Sequence, residues 1–298
     1  MGTTLPMSVT PAGTVLPARR PYHLLRTLSC GQAFRWRADG TGAAGVFAGR
    51  SIRLEQRRAA IAVEGLEGDG VSGALARYLG LDQPLRSIER ELGHDPVLAR
   101  ILPLTSGIAI LRQDPWECLV SFIISAFNNI PKIELTIARL SERFGDALPG
   151  GGRAFPQPAA LADAPARALR ACVLGYRAPY IRSVARLVTS GSVDLQAPFA
   201  LTYDEAKRML LELPGVGEKV ADCLLLFAYG KAEAFPVDVW VKRAVERWYF
   251  RGDAKTEREV RTFARRRFGS LAGYAQQHLF SYHRSQRTGS PGPRASVR

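Results

Sequence analysis

Apolar and polar residues alternate with a period of two over residues 33–37, and Asp39-Gly40-Thr41-Gly42 then turns the chain. The alternation resumes at 45–48, and residues 51–55 and 59–63 repeat it. Period two places successive side chains on opposite faces of a strand, so the stretch from about residue 21 to 65 predicts a small antiparallel sheet. From about residue 71 the period lengthens: Ala74 and Leu75 recur with Tyr78 and Leu79 on one helical face. Asp114-Pro115 is a helix start, an Asp cap followed by a Pro whose missing N–H does no harm in the first turn. Cys118, Phe122 and Ile123 continue that helix, and others are expected over 133–144, 160–172 and 179–190, separated by Pro- and Gly-rich segments such as Pro149-Gly150-Gly151-Gly152. The chain thus divides into a flexible tail over 1–20, a β-rich part with following helices over 21–105, a helical body over 106–282 and a basic flexible tail over 283–298. The expected class is α+β, a small antiparallel sheet packed on a mainly helical body.

The most specific stretch begins at Thr202, which forms a capping box with Glu205 ahead of an apolar stripe of Ala206, Met209, Leu210 and Leu213. That helix stops at Leu213-Pro214-Gly215-Val216-Gly217, and Glu218 opens another with Val220, Leu224 and Phe227 inward. Gly215, Val216 and Gly217 form a turn whose amides, with the positive end of the second helix, suit a DNA phosphate. The same pattern also describes an ordinary helical hairpin with a glycine-rich turn. Lys219 sits in the first turn of the second helix, where a cation opposes the helix dipole and the uncharged, nucleophilic amine is favoured. The plain alternative is a solvated surface charge. Asp238, in Phe235-Pro236-Val237-Asp238-Val239-Trp240, reads as the cap of a third helix carrying Val241, Val245 and Trp248. A capping carboxylate held by amides can also stabilise developing positive charge.

Charge changes the picture. Forty-one Lys and Arg against twenty-seven Asp and Glu leave a net +14, which favours a polyanionic partner because neutralised phosphates release counterions. Ribosome binders and basic-tailed proteins share that property. The four cysteines, at 30, 118, 172 and 223, form no CxxC pair and no ligand set with the four histidines, so neither a zinc finger nor a clustered iron–sulfur site is expected. No disulfide framework is visible, which suits a reducing cell interior. No apolar run approaches the roughly 18 residues of a membrane span, and no secretory signal opens the chain.

Leu213-Pro214-Gly215-Val216-Gly217-Glu218-Lys219-Val220-Ala221 followed by Pro236-Val237-Asp238 resembles the helix-hairpin-helix, Gly/Pro-Asp superfamily of DNA glycosylases. Within it the chain is similar to the 8-oxoguanine DNA glycosylase/AP lyases of the eukaryotic type. The likeness extends to Gly31-Gln32-Ala33-Phe34-Arg35-Trp36, Leu111-Arg112-Gln113-Asp114-Pro115 and Ser121-Phe122-Ile123-Ile124 with Asn128-Asn129-Ile130. It continues through Leu174-Gly175-Tyr176-Arg177-Ala178 and Ala275-Gln276 with Leu279-Phe280-Ser281, in family order.

The resemblance implies a base-excision repair enzyme, a DNA glycosidase with lyase activity acting through a Schiff base. Lys219 would attack the sugar C1′ and Asp238 would support the charge that develops there, with the nucleotide outside the stack. Normal guanine has an N7 acceptor, whereas 8-oxoguanine carries a proton there. By resemblance, the Gly31 carbonyl would read that proton, Gln276 the Watson–Crick edge, and Phe280 and Cys223 the two faces of the base. Core packing is the plain alternative for Cys223 and Phe280. Asn128, Asn129, Tyr176 as a wedge and Arg177 as reader of the orphaned cytosine complete the implied DNA contacts.

Three positions depart from the pattern. Phe127 stands where the family commonly has a third asparagine. Lys132 replaces an arginine, so the guanidinium fork is missing and the grip on cytosine is weakened. Trp240 replaces a histidine beside the damaged strand. The resemblance implies no metal or organic cofactor, a monomer, no membrane, and double-stranded DNA bearing 8-oxoguanine opposite cytosine as partner. The expected location is intracellular, cytoplasm or nucleoid in a bacterium and nucleus in a eukaryote. Two alternatives stay open: an endonuclease III-like pyrimidine glycosylase, against which stands the lack of any cysteine beyond 223, and a non-catalytic hairpin that only holds DNA.

Overall fold

The computed structural model describes residues 9, 10, 13–66, 70–149 and 151–288. Among the described residues six antiparallel strands, β1 (Val9–Thr10), β2 (Gly13–Pro17), β3 (Arg37–Asp39), β4 (Gly42–Phe47), β5 (Arg50–Arg57) and β6 (Ala60–Glu64), pair in the order β1-β2-β6-β5-β4-β3. The tail expected over 1–20 therefore does not hold for 13–17: Thr14 to Pro17 pair with Val63 to Ala60, and Leu16 is buried in the core. Residues 1–8, 11 and 12 lie outside the described residues.

The strand expected over 33–37 is also corrected. Only Arg37 belongs to one, and the chain before it first forms a short helix, α1 (Leu24–Ser29). Phe34 and Trp36 still point inward, but from irregular backbone. The Trp36 indole donates to the Tyr78 hydroxyl at 2.7 Å. It lies where a Cβ at Gly45 would overlap it. The alternation came from tertiary burial of two rings, which period two alone cannot tell from a strand.

Helices then follow: α2 (Val71–Tyr78), α3 (Leu85–Leu92), α4 (Pro96–Thr105), α5 (Pro115–Ser125), α6 (Ile130–Phe144), α7 (Pro158–Ala162), α8 (Ala166–Ala171) and α9 (Ala178–Thr189). The single helix expected over 160–172 is two, because Pro165 lacks the N–H that would continue α7. Asp114 caps α5 as its sequence predicts, with Pro115 in the first turn. Cys118, Leu119, Val120 and Ile124 of α5 are fully enclosed, so this helix is the axis of the body.

The C-terminal half continues with α10 (Tyr203–Leu211), α11 (Glu218–Phe227), α12 (Val239–Tyr249), α13 (Glu257–Phe268) and α14 (Ala272–Thr288). Both α11 against α5 and α14 against α4 and α12 make extensive contacts. The tail expected from residue 283 does not hold for 283–288, since α14 runs to Thr288. Tyr282 and His283 stack near Trp248, ring centroids 5.6 and 6.0 Å apart, and this contact extends the helix. Residues 289–298 lie outside the described residues. Among the described residues no helix is long and apolar enough to cross a membrane.

Two histidines tie the fold to pH. Burial pushes His278 down to about 4, with Arg26 adding repulsion, and its Nδ1 lies 2.8 Å from the Thr105 hydroxyl. Burial likewise lowers His23, the cap of α1, to about 4. Both values lie below the ordinary 6.5, so the unfolded chain takes up protons that the folded chain refuses. Stability present above pH 6.5 is lost as the pH falls towards 4, and the enclosed His278 alone accounts for about 3 kcal/mol of it. The thermal midpoint is expected to fall more steeply between pH 7 and 4.5 for wild type than for His278→Gln. Parallel slopes would remove His278 as a cause.

Candidate active site

The turn between α10 and α11 is built by Gly215, whose φ of +81° favours glycine. A Cβ there would stand 2.8 Å from Cβ of Tyr180, so α9 closes directly on the turn. Gly217 differs from its expected part in the turn. It is extended, with φ −101° and ψ −178°, and caps α11 without a side chain. Nothing lies within 4 Å of the place a Cβ would take, so the first-turn amides remain approachable. Val216 is buried, and its N–H closes the turn on the Leu213 carbonyl at 3.0 Å.

An ion network around the enclosed Asp222 anchors α11. Lys207 Nζ lies 2.8 Å from Glu218 and 2.9 Å from Asp222, and the Tyr203 hydroxyl donates to Asp222 at 2.6 Å. Asp222 is fully enclosed, and burial raises its carboxyl above the ordinary value against the pull of Lys207. Removing one partner from such a group leaves an uncompensated charge, so the network fixes how α10 and α11 meet.

Lys219, next to Glu218 in the first turn of α11, reaches across to α5. Its Nζ donates to Ser125 Oγ at 2.7 Å and stands 5.0 Å from the centroid of the Phe122 ring. Ser125 Oγ in turn donates to the Phe122 carbonyl at 2.8 Å, which orients its lone pairs towards the amine. Asp238 caps α12 as its sequence predicts, Oδ1 accepting from the Val241 N–H at 2.8 Å. Burial raises the Asp238 carboxyl, and the Val241 amide and the Lys219 charge oppose the rise. Cys223, one turn beyond Lys219, is buried, and burial pushes its thiol up to about 12. It is therefore a protonated wall, not a second nucleophile.

Gly31 and Phe280 meet, although they are far apart in the chain. A Cβ on Gly31, whose φ is +82°, would stand 3.1 Å from the Phe280 ring. Gln276, one turn earlier on α14, donates to the Pro236 carbonyl at 3.1 Å and accepts from Gln277 at 2.7 Å. Its amide thus faces the segment that leads to Asp238. Gln32 was quoted in the motif but given no task. It is completely enclosed, donates to Ala109 O at 2.7 Å, accepts from Leu111 N at 2.9 Å and holds the Gly31 loop to the helical body. Ser125, Asp222 and Gln32 all escaped the sequence reading, because the partners that give them a task lie beyond the reach of local spacing, from Lys207 for Asp222 to Lys219 for Ser125.

The expected DNA contacts divide into two sets. Tyr176, Trp240 and Lys132 are accessible; the Trp240 ring centroid lies 5.8 Å from that of His283. Asn128 and Asn129 instead serve the backbone, Asn128 bonding the Ile124 carbonyl at 3.0 Å and Asn129 capping α6. Arg177 is turned inward, only 6% exposed, and its guanidinium donates to the Ala126 and Phe127 carbonyls. A cleft of about 840 Å³ between β4, β5 and α6 is lined by none of these residues.

An amine and a carboxylate at the mouth of a glycine-turn hairpin define a class of DNA-repair proteins, and residues 120–269 match the family described as the HhH-GPD superfamily of base excision DNA repair proteins. Residues 15–119 match the 8-oxoguanine DNA glycosylase N-terminal domain. The chain belongs to the HhH-GPD superfamily of base-excision repair proteins, and within it to the 8-oxoguanine DNA glycosylases. It is 35% identical over 213 residues to the "Probable N-glycosylase/DNA lyase" of Methanothermobacter thermautotrophicus, covering 64% of this chain and 68% of that one. The N-glycosylase/DNA lyase of Saccharomyces cerevisiae is 30% identical over 72% of this chain and 66% of its own. Among solved structures, the Clostridium acetobutylicum 8-oxoguanine glycosylase/lyase, in complex with duplex DNA containing cytosine opposite 8-oxoguanine, superposes with a TM-score of 0.88. It is 32% identical and covers 94% of this chain and 98% of that one.

Proposed function

We propose that this protein excises 8-oxoguanine from duplex DNA and then cleaves the strand, with Lys219 as nucleophile and Asp238 as its electrostatic partner. The observation that carries this is the Lys219 amine, held by Ser125 over the Phe122 ring and within electrostatic reach of the half-buried Asp238 carboxylate. The neutral amine attacks C1′ of the extruded nucleotide. The C1′–N9 bond breaks, its electron pair leaves with the base, and the base takes up a proton. Positive charge on the sugar peaks in this step, and Asp238, held in place by the Val241 N–H, is pre-oriented to stabilise it. Loss of a proton from nitrogen and opening of the ring give a Schiff base between Nζ and C1′. Removal of a C2′ proton then expels the 3′ phosphate, and hydrolysis returns the lysine.

Base selection follows from one hydrogen. The carbonyl of Gly31, on the loop fixed by Gln32, accepts the N7 proton that 8-oxoguanine has and guanine lacks. Phe280 offers a stacking face, and Cys223 closes the other side. Cytosine is the preferred opposite base, the protein acts as a monomer, and its substrate places it with the DNA inside the cell.

The test is borohydride trapping on duplexes carrying 8-oxoguanine opposite cytosine, beside duplexes with an oxidised pyrimidine. A trapped adduct and strand cleavage on the first alone are expected. Activity on the second alone would move the protein to pyrimidine repair, and binding without trapping on either would leave a DNA-holding module.

A further inference from the structure

Helix α13 carries five arginines, and three of them are engaged within the fold. Arg261 pairs with Glu218 and Glu257 at 3.5 Å, Arg265 with Asp204 at 3.2 Å and Arg267 with Asp95 at 2.7 Å. Arg258 and Arg266 are exposed, and among the described residues neither meets a carboxylate. Arg258 also stands in the first turn of α13, where a cation opposes the helix dipole, and no contact within the fold offsets that placement. Both arginines line one groove of about 540 Å³ between the end of α12 and α13. Phe250 and Phe263, which also line it, meet edge to face with centroids 5.0 Å apart, and Tyr249 backs Phe263 at 5.0 Å. The wall is therefore firm and partly apolar. Lys255 adds a third cation, its Nζ 5.1 Å from the Phe250 centroid. Among the described residues that line the groove Glu259 is the one acid, and it is engaged by the Thr256 N–H and hydroxyl, both at 2.7 Å.

We infer that this groove is a second DNA-binding site, which holds the phosphate backbone of a duplex segment other than the one at the Lys219 site. Cations beside an apolar wall suit a chain with regular charges and apolar flanks, which describes the phosphates and sugars of a DNA strand. Arg258 and Arg266 are eight residues apart, about 12 Å along the helix, and one strand of a duplex presents about three phosphates over that length. This regularity favours DNA over an acidic peptide. The two sites are also apart: α12 begins after Asp238 and delivers Phe250 about 18 Å farther on, so the groove lies at the opposite end of that helix from the carboxylate. A protein that touches two segments at once passes from one to the other without leaving DNA, which shortens the search for a rare damaged base. The inference goes beyond the proposed excision and does not depend on which lesion is removed.

The experiment follows a fluorescent undamaged duplex leaving the protein as unlabelled competitor duplex is raised. In wild type the dissociation rate is expected to climb with competitor concentration, the mark of direct transfer, and in the double variant Arg258→Gln/Arg266→Gln it stays flat. Capture of a second duplex by protein already bound to an immobilised one weakens about tenfold in that variant, the scale for two lost charge-assisted contacts. Affinity for a single short duplex carrying an abasic analogue stays at the wild-type value. A rate independent of competitor in wild type, or an equal climb in the variant, overturns the second site. A weaker grip of the variant on the single abasic duplex overturns it too, because the groove would then belong to the path of the first segment. Acceleration by polyglutamate and not by duplex would make the occupant an acidic protein and overturn DNA. If the Lys219 face holds no duplex, the proposed excision is what fails, and the groove is then read alone. The four native cysteines are buried, so Thr262→Cys takes a photoreactive label selectively, and failure of that label to crosslink duplex overturns the groove as a DNA site.

Discussion

Lys219→Gln is expected to abolish borohydride trapping and to leave strand cleavage below about a thousandth of wild type, because no other amine replaces a lost nucleophile. The protein should fold as before. Ser125 Oγ can still be met by the glutamine amide, and removing a cation from the first turn of α11 relieves its conflict with the helix dipole, worth roughly 0.3–1 kcal/mol. An unchanged or slightly raised thermal midpoint beside an inert protein would place the lesion in the chemistry. Residual trapping near the wild-type level would instead identify another amine as the nucleophile.

Asp238→Asn separates two tasks carried by one side chain. Asparagine caps a helix about as well as aspartate, so the bond to the Val241 N–H and the start of α12 survive. The negative charge does not, and excision is expected to fall by roughly a hundred- to a thousandfold, the scale seen when a preorganised electrostatic stabiliser is removed. Asp238→Ala should lose both, with stability lower by about 1 kcal/mol. Because burial raises the Asp238 carboxyl, the acid limb of kcat/KM in wild type should lie above the ordinary aspartate value of 3.8 and vanish in the asparagine variant. Equal activity of wild type and Asp238→Asn across pH would reduce this residue to a cap.

What could be read from the chain depended on how local the cause was. The capping box at Thr202, the Asp114-Pro115 start and the Asp238 cap were all legible, since each is decided within four residues. Strand β2 was not, because Thr14 to Pro17 become a strand only by pairing with residues more than forty positions away. The rings of Phe34 and Trp36 imitated a strand because they pack on Phe122 and Tyr78 from distant helices. The place of Lys219 in a first turn was legible, whereas Ser125, which accepts its hydrogen bond, is one of two serines in an apolar helix and carries no signal of its own. Arg177 was found as a position but not as an orientation: a motif names the side chain, and the carbonyls of Ala126 and Phe127 decide which way it faces.

Helix α14 carries Gln276 and Phe280 on one unbroken rod that continues for two more turns. Through Tyr282 and His283 it packs against Trp248 of α12, the helix that Asp238 begins, while Gln276 donates to the carbonyl of Pro236. A displacement of this helix is therefore expected to disturb Gln276, Phe280 and the flank of Asp238 together.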